Sequence, residues 1–322
     1  MDDTDSAAQT PAPEGKPTAA RPTAVEPSAP AGIPAAAAAA QPPEKKRDTW
    51  WSYLRFLLLL FIGTLVLRSC IVAPFSIPSG SMLPNLLIGD YLFVSKWPYG
   101  YSRYSFPFGI INFDGRMMES LPGRGDVVVF HYPGPGNQDW VKRVIGLPGD
   151  RIEVRSSALV LNGQPVKRER VDDFIVRVSE NSPCRPVGGD AHPIVDDQGN
   201  RACAYPRYRE TLPDGRSYDT LDQVQASAER CAQMPEAPPC RADNFGPFTV
   251  PEGHVFVMGD NRDDSLDSRF PVSEGGVGIL PIENLEGRAL VSFFSTDGSA
   301  QWLLPWTWFT AARWSRIGTT YP

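Results

Sequence analysis

The sequence is short of the residues on which several common kinds of site depend. Only three histidines and five cysteines occur among 322 residues, and no Cys-x-x-Cys pair is present. A structural zinc site of the usual spacing is therefore disfavoured. A net charge of -6 leaves no broad basic surface that could neutralise phosphates. Neither helix-turn-helix nor zinc-finger spacing occurs. We expect no nucleic-acid partner.

Proline and glycine are plentiful instead, at 33 and 28 residues. This composition disfavours a helical bundle and suits short strands joined by turns, so we expect a mostly β protein. Asn162-Gly163 predicts a tight hairpin turn. Alternating and β-branched patterns predict the principal strands, which are Asp126–Tyr132, Trp140–Ile145, Arg151–Val154, Ala158–Leu161, His254–Met258 and Arg288–Phe294.

The N-terminal quarter of the chain changes character twice. Residues 1–49 are rich in Pro, Ala and Thr with few large apolar groups, which predicts a disordered tail. Residues 50–73 contain a mostly apolar run of about 20 residues, enough for one helical bilayer crossing. A buried core helix is the alternative, but such helices rarely run this long without a polar stripe. We expect a single transmembrane anchor followed by one domain, 74–322.

Charge and cysteine placement predict the orientation of the anchor. Lys45, Lys46 and Arg47 precede it, so the positive-inside rule places the tail in the cytoplasm and the domain outside. A cleaved signal peptide would normally begin near residue 1. Four cysteines lie in 167–247, a segment with fewer strand signals that we interpret as an insertion into a core of 74–166 and 248–322. Two disulfides are expected there, with the pairing left open, among Cys184, Cys203, Cys231 and Cys240.

Ser81 lies in a proline-bounded stretch, PSGSMLP, directly after the anchor. A serine in such a loop usually serves the turn, and it becomes a candidate nucleophile only with a base. No Gly-x-Ser-x-Gly elbow surrounds it, and the only histidines are His131, His192 and His254, so a conventional triad is weakly supported. After the anchor the only lysines are Lys96, Lys142 and Lys167.

Lys142 has the setting that a lysine base needs. In the strand WVKRVI the two-residue period puts Trp140 and Val144 on the same face as Lys142. Burial penalises the ammonium, and a pKa near 8 in place of about 10.4 corresponds to roughly 3 kcal/mol. A neutral amine can deprotonate a serine. The alternative is a lysine that snorkels at a strand edge.

Four segments in order resemble the bacterial type I signal peptidases: PSGSMLP (78–84), RGDVVVF (124–130), KRVIGLPGD (142–150) and GDNRDDSLDSR (259–269). The resemblance covers roughly 50–170 and 245–322. It implies a membrane-bound serine endopeptidase with Ser81 as nucleophile and Lys142 as general base. It also implies an oxyanion hole from Ser79 and the main chain of Ser81, with Ser265 orienting Lys142. The residues that would brace this loop are Asp260, Arg262, Asp267 and Arg269.

The same resemblance implies the substrate and the place of action. Secretory preproteins would be cut after an Ala-x-Ala signature at the bacterial plasma (inner) membrane, with the catalytic domain periplasmic. A pocket for the small side chains would be lined by Ile77, Met82, Leu86, Trp140 and Val141. Two departures from the family pattern are Asp264, where asparagine is usual, and Asn85, where threonine is common. We expect Asp264 to point away from Lys142, because a nearby carboxylate would raise the lysine pKa.

Three further expectations concern partners. The acidic run from Asp263 to Glu274 imitates a calcium loop, but Ser268 stands where glycine is required, so we expect no metal and no cofactor. The aromatic stretch Trp302–Trp314 suits either an interfacial membrane contact or packing on the β core. Two alternatives to a general signal peptidase stay open, namely an anchored β domain that only binds partners and a narrower processing peptidase of the same clan.

Overall fold

The structure is a computed structural model that describes residues 50–106, 113–185, 191–224, 228–234, 237–301 and 303–321. The predicted tail, 1–49, and its basic residues lie outside the described residues. The helices are α1 (Trp50–Val66), α2 (Ala228–Gln233), α3 (Pro238–Asp243) and α4 (Pro305–Ala311). The strands are β1 (Val72–Ser76), β2 (Asp90–Ser95), β3 (Val127–His131), β4 (Asp139–Gly146), β5 (Arg151–Arg155), β6 (Ala158–Leu161), β7 (Gln164–Pro165), β8 (Lys167–Arg177), β9 (His192–Val195), β10 (Arg201–Thr211), β11 (Ser217–Leu221), β12 (Phe245–Thr249), β13 (His254–Met258), β14 (Leu280–Pro281) and β15 (Leu285–Ser295).

The first helix stands apart from the packed domain. α1 continues through a π-helical turn, Leu67–Ile71, and together they form a 22-residue apolar helix long enough to cross a membrane. No side chain of α1 is buried against the protein. An apolar helix with all faces uncovered fits a bilayer far better than water. The predicted fold class, mostly β with one N-terminal apolar helix, is confirmed.

A seven-stranded antiparallel sheet forms the core, in the order β1-β2-β15-β3-β4-β13-β14. Its strands are buried on both faces where they meet, as in β3, where Val127 to Phe130 are at most 2% exposed. One apolar cluster joins the loop after β1 to this sheet through Met82, Leu86 and Val141. A second, on strands β3, β4 and β13, contains Phe130 and Val144. The loop after β1 is thereby fixed against β4.

A smaller sheet, β12-β5-β6-β7, packs beside the first. The predicted hairpin turn between β6 and β7 is confirmed, with Leu161 paired to Gln164 across it. Asn162 and Gly163 have φ of 53° and 81°. Both central residues of this turn need a positive φ, and Asn followed by Gly adopts it with the smallest steric penalty.

The insertion is richer in strands than the sequence suggested. β8 and β10, each 11 residues long, pair with one another, and β9 and β11 both pair with the other edge of β10 in a third sheet. The charged residues that alternate along β8 conceal its strand pattern, because several lie on exposed positions. The expected disulfides are present, and they join Cys184 to Cys203 and Cys231 to Cys240.

Candidate active site

The loop that carries Ser81 is fixed at both ends by main-chain hydrogen bonds. Ile77 N donates to Asp90 O at 2.9 Å, and Gly89 N donates to Ile77 O at 2.9 Å. Inside the loop, Met82 and Leu86 are fully buried and anchor it to the core. Ser81 therefore sits on a rigid, well-packed turn, and its side chain faces β4.

Lys142 lies opposite Ser81, in the middle of β4. Its Nζ is 2.8 Å from Ser81 Oγ and 3.2 Å from the main-chain oxygen of Val141. The same nitrogen lies 5.3 Å from the centre of the Trp140 ring. Lys142 is 4% exposed and Ser81 is 8% exposed, so bulk water does not solvate either group. These are the distances and the dryness that a serine and a lysine base require.

The electrostatic surroundings of Lys142 favour the neutral amine. Burial lowers the pKa of Lys142 from 10.5 to about 8, and the positive charge of Arg269 acts in the same direction. Three carboxylates, of which Asp267 has the largest effect, oppose this decrease. Asp264 is one of the three, so the expectation that it points away from Lys142 is only partly met. Desolvation outweighs all three charges.

Ser265 lines the same cavity as Lys142, but its hydroxyl has another partner. Ser265 Oγ donates to Asp267 Oδ2 at 2.9 Å, and Gly259 N donates to the same oxygen at 2.9 Å. A Cβ at Gly259 would come within 2.2 Å of Ser265 Oγ and 2.6 Å of Ser81 O. Glycine at 259 is therefore what lets this loop approach the nucleophile. The hydrogen bond from Ser265 to Lys142 stays a prediction.

The four residues expected to brace the loop are all buried in ion pairs. Asp267 accepts two hydrogen bonds from Arg269, at 2.9 and 2.8 Å. Although burial opposes it, Arg269 holds the pKa of Asp267 below its usual value. Asp260 accepts a bidentate pair from Arg143, the neighbour of Lys142, at 2.8 and 2.7 Å.

Arg262, the fourth of the bracing residues, contacts the insertion. Arg262 donates to both carboxylate oxygens of Glu210, at 2.7 and 2.6 Å. Glu210 lies on β10, so one side of the loop is held by the inserted sheet. Asn85, at a position where the sequence departs from the family pattern, donates to Asp260 Oδ2 at 2.7 Å. Asn85 therefore makes a polar contact with the bracing aspartate.

The groups expected to form an oxyanion hole flank the nucleophile. Ser79 Oγ lies 3.5 Å from Ser81 Oγ. Among the described residues, the main-chain N–H of Ser81 donates no hydrogen bond, whereas Ser81 O accepts one from Asn261 N at 3.0 Å. A free N–H beside a hydroxyl can stabilise a developing oxyanion.

A cavity of about 640 Å³ opens in front of Ser81 and Lys142. Of the five residues expected to line a substrate pocket, Ile77, Trp140 and Val141 do so. Met82 and Leu86 do not reach the cavity wall, and they pack behind it, against Ile77 and Val141. They shape the pocket by supporting its wall.

The insertion also contributes to this cavity, which nothing in the sequence indicated. Val224, Pro239 and Ala242 line it from the insertion, opposite the strand that carries Trp140. Arg241 forms an ion pair with Glu274 at 2.5 Å across the same wall. The nearest signal in the sequence is the pair of cysteines around Pro239, Cys231 and Cys240, which the structure joins in a disulfide.

Comparison with known proteins identifies the family to which this chain belongs. A family model described as signal peptidase, peptidase S26, matches residues 50–294. Signal peptidase I from Rickettsia typhi is 36% identical over 234 residues, covering 72% of this chain and 75% of the relative. The Rickettsia prowazekii enzyme shows the same identity and coverage. A solved signal peptidase I from Enterococcus faecalis is 26% identical, covers 52% of this chain and 97% of its own, and has a TM-score of 0.24. Because this TM-score is low, the family of the chain is assigned from the family model and the Rickettsia relatives alone.

Proposed function

Because the chain belongs to the signal peptidase family, peptidase S26, we propose that it removes signal peptides from exported preproteins with Ser81 as nucleophile and Lys142 as general base. Peptidase activity follows from the family. The serine–lysine mechanism rests on one observation, the 2.8 Å contact between Lys142 Nζ and Ser81 Oγ in a setting that lowers the lysine pKa to about 8. A positioned base with a pKa near the working pH is what such chemistry requires.

The reaction takes two steps on these groups. In the first, the neutral amine of Lys142 accepts the proton of Ser81 Oγ while that oxygen bonds to the scissile carbonyl carbon. The proton then passes to the leaving amine, and the mature protein departs. In the second, Lys142 takes a proton from water while the water oxygen bonds to the acyl carbon, and it returns that proton to Ser81 Oγ as the ester bond breaks and the signal peptide departs. The main-chain N–H of Ser81 and the hydroxyl of Ser79 stabilise the oxyanion, at about 3 kcal/mol per donor.

The preprotein binds as an extended strand beside the catalytic pair. β1 is an edge strand, and Asp139 to Lys142 of β4 pair only with β3 among the described residues. Both free edges border the cavity, at Ser76–Pro78 and Gln138–Val141. A peptide that pairs with them presents alternate side chains to the same wall. The residue before the cut and the one two earlier therefore meet the same apolar surface.

Selection for alanine follows from the bulk of that surface. Ile77, Trp140 and Val141 line the cavity beside the nucleophile, and Ile77 is backed by the fully buried Met82 and Leu86. Because this wall is close-packed and cannot move back, substrate side chains larger than alanine would clash with it. This supports cleavage after small residues in an Ala-x-Ala pattern.

The anchor and the nucleophile are close along the chain. Ser81 is nine residues beyond Val72, where the apolar helix has ended, which limits its reach from the bilayer to about 30 Å. We place the N-terminus in the cytoplasm on the basis of Lys45, Lys46 and Arg47. The two disulfides suit an oxidising, extracytoplasmic compartment. The enzyme then meets the cleavage site where the signal peptide leaves the bacterial inner membrane.

A second contact with lipid comes from the C-terminal aromatic stretch. Leu303, Trp306, Phe309 and Trp314 are 92%, 65%, 68% and 59% exposed. Exposed aromatic and aliphatic groups that cluster beside a short helix are typical of interfacial membrane contacts. Of the two possibilities open from the sequence, exposure favours docking on the bilayer.

Cleavage of a preprotein with an Ala-x-Ala site, in detergent, tests the proposed function. Wild type should release the mature protein, and Ser81→Ala and Lys142→Ala should each abolish release while keeping the fold. Retained turnover in either variant would remove that residue from the mechanism. Several unrelated preproteins should all be cleaved by wild type, whereas cleavage of one alone would indicate a dedicated processing peptidase.

A further inference from the structure

Three aspartates converge behind the active-site loop, where the proposed mechanism does not use them. Asp222 follows β11, Asp243 ends α3, and Asp263 belongs to the 259–269 loop. One carboxylate oxygen from each lies within 4.8 Å of the others. Asp222 and Asp243 are each only 3% exposed. Three acidic groups so close together and so little hydrated repel one another unless something lies between them.

Two carboxylate oxygens in this cluster have no donor. Asp222 Oδ1 and Asp263 Oδ1 are buried and accept no hydrogen bond. The other oxygen of each carboxylate has a donor. Asp222 Oδ2 pairs with Arg168, and Asp263 Oδ2 accepts a hydrogen bond from the N–H of Val224 at 2.9 Å. A buried acceptor without a partner costs about 1–3 kcal/mol, so two in one cluster point to a missing ligand.

We propose that Asp222, Asp243 and Asp263 form a binding site for a hard divalent cation, of which calcium fits best. Carboxylate oxygens are the ligands that calcium and magnesium prefer. A calcium ion, with metal–oxygen distances of about 2.4 Å, bridges oxygens up to about 4.8 Å apart, whereas magnesium at about 2.1 Å needs a tighter set. The two oxygens without donors then become ligands.

A second acidic group in the described residues shows what a cluster with its own cation looks like. His131, Asp139 and Glu286 also offer atoms within 4.8 Å of one another. There, Lys96 Nζ lies 2.5 Å from Glu286 Oε2 and supplies the positive charge. Glu286, the buried acid of this group, has no buried oxygen without a partner. The aspartate cluster also has a cation, Arg168 on Asp222 Oδ2, but it keeps two buried oxygens without donors, and for that reason the proposal concerns it alone.

The cation would join the insertion to the catalytic loop. Asp222 and Asp243 belong to the insertion, and Asp263 lies between Asp260 and Ser265 on the loop that lines the cavity. The two parts already meet through main-chain bonds, Leu221 N to Asp260 O at 2.9 Å and Arg262 N to Leu221 O at 2.8 Å. An ion across the same junction would rigidify the loop beside the substrate cavity.

The sequence predicts no metal because its one calcium-like run, Asp263 to Glu274, has Ser268 where glycine is required. The proposed ligands come from three segments instead, and only Asp263 belongs to that run.

Calcium binding to the full chain in detergent tests the site without substrate. After dialysis against chelator, titration with CaCl₂ should give one saturable site per chain, and the melting temperature should rise and fall again when chelator returns. MgCl₂ should bind at least tenfold more weakly. No saturable binding of either ion at millimolar concentration, with no change in melting temperature, would overturn the proposal.

Matched variants separate this site from general surface binding. Asp222→Asn and Asp263→Asn should each weaken calcium binding at least tenfold, whereas Asp197→Asn, an exposed acid in the same insertion, should leave it unchanged. Equal affinity in all three variants would contradict the assignment of ligands. Because wild type with and without calcium is informative alone, the test survives if a variant fails to fold. It is also independent of whether Lys142 serves as a base.

Discussion

Lys142 Nζ lies 2.8 Å from Ser81 Oγ, although 61 positions separate the two residues in the sequence. The contact is buried, and the lysine has no carboxylate as a hydrogen-bond partner among the described residues. Desolvation therefore controls its charge, with the acids of the 259–269 loop acting only from a distance. This balance leads to predictions for stability as well as for activity.

Replacing Lys142 by methionine should inactivate the enzyme and stabilise its fold. The decrease in pKa from 10.5 to about 8 corresponds to about 3 kcal/mol of burial penalty on the charged amine. Below pH 8 the amine is protonated in both folded and unfolded chains, so the full penalty applies. Between pH 8 and 10.5 the folded amine is neutral and the penalty fades.

Urea denaturation at several pH values measures this effect. Lys142→Met should gain up to about 3 kcal/mol in the free energy of unfolding at neutral pH, and the gain should shrink towards pH 10.5. A gain that is the same at all pH values would show that charge burial is not its origin.

Ser265→Ala should slow preprotein cleavage about tenfold, the size expected for one lost positioning hydrogen bond. If Ser265 orients Lys142 during the reaction, the midpoint of the pH–rate profile should also move. Ser268→Ala is the matched control. Ser268 does not line the cavity, and its Oγ accepts a hydrogen bond of 3.0 Å from Val257 N. A slower rate with an unmoved midpoint would reduce Ser265 to a structural support for Asp267.

Ile77→Ala should relax the selection for small residues. Shortening this cavity-wall side chain makes room for valine before the cut, so the ratio of kcat/KM for valine and alanine substrates should rise at least tenfold. Leu86→Ala removes similar bulk from the same core cluster without touching the cavity. Both variants should lose about 2–5 kcal/mol of stability. If both variants lost the selection for small residues equally, the assignment of Ile77 to the cavity wall and Leu86 to its support would be wrong.

The exposed C-terminal aromatic groups should contact lipid. In nanodiscs that contain brominated lipids, Trp306→Phe should lower the share of tryptophan fluorescence that is quenched, because Trp306 is 65% exposed beside the proposed interface. Trp140→Phe is the control, since that ring stacks on Tyr132 at 4.3 Å within the domain. Unchanged quenching in Trp306→Phe would contradict docking.

Local sequence signals were sufficient for much of the core. β6 and β13 begin and end where the sequence predicts, because a tight turn or a glycine bounds them and their side chains pack on the core. The setting of Lys142 was likewise readable, since a strand period of two places Trp140 on its face. Elements with local causes are the ones that a single sequence reveals.

What the sequence could not give depends on contacts between distant segments. The pairing of Arg262 with Glu210 spans 52 positions and requires knowledge of where the inserted sheet packs. Met82 and Leu86 turn inward because the loop curves over the core, and residue spacing carries no record of that curve. The charged face of β8 hid a strand for the same reason, since its partner β10 begins 24 residues after β8 ends.

The most direct test of the catalytic pair is the pH dependence of kcat/KM for an Ala-x-Ala preprotein, from about pH 5 to about pH 10, in wild type and Lys142→Arg. Wild type should gain about tenfold per pH unit and level off with a midpoint near 8, and Lys142→Arg should be inactive throughout, because a guanidinium stays protonated. A midpoint of about 6.5, as a histidine base would give, or turnover by Lys142→Arg, would contradict the account.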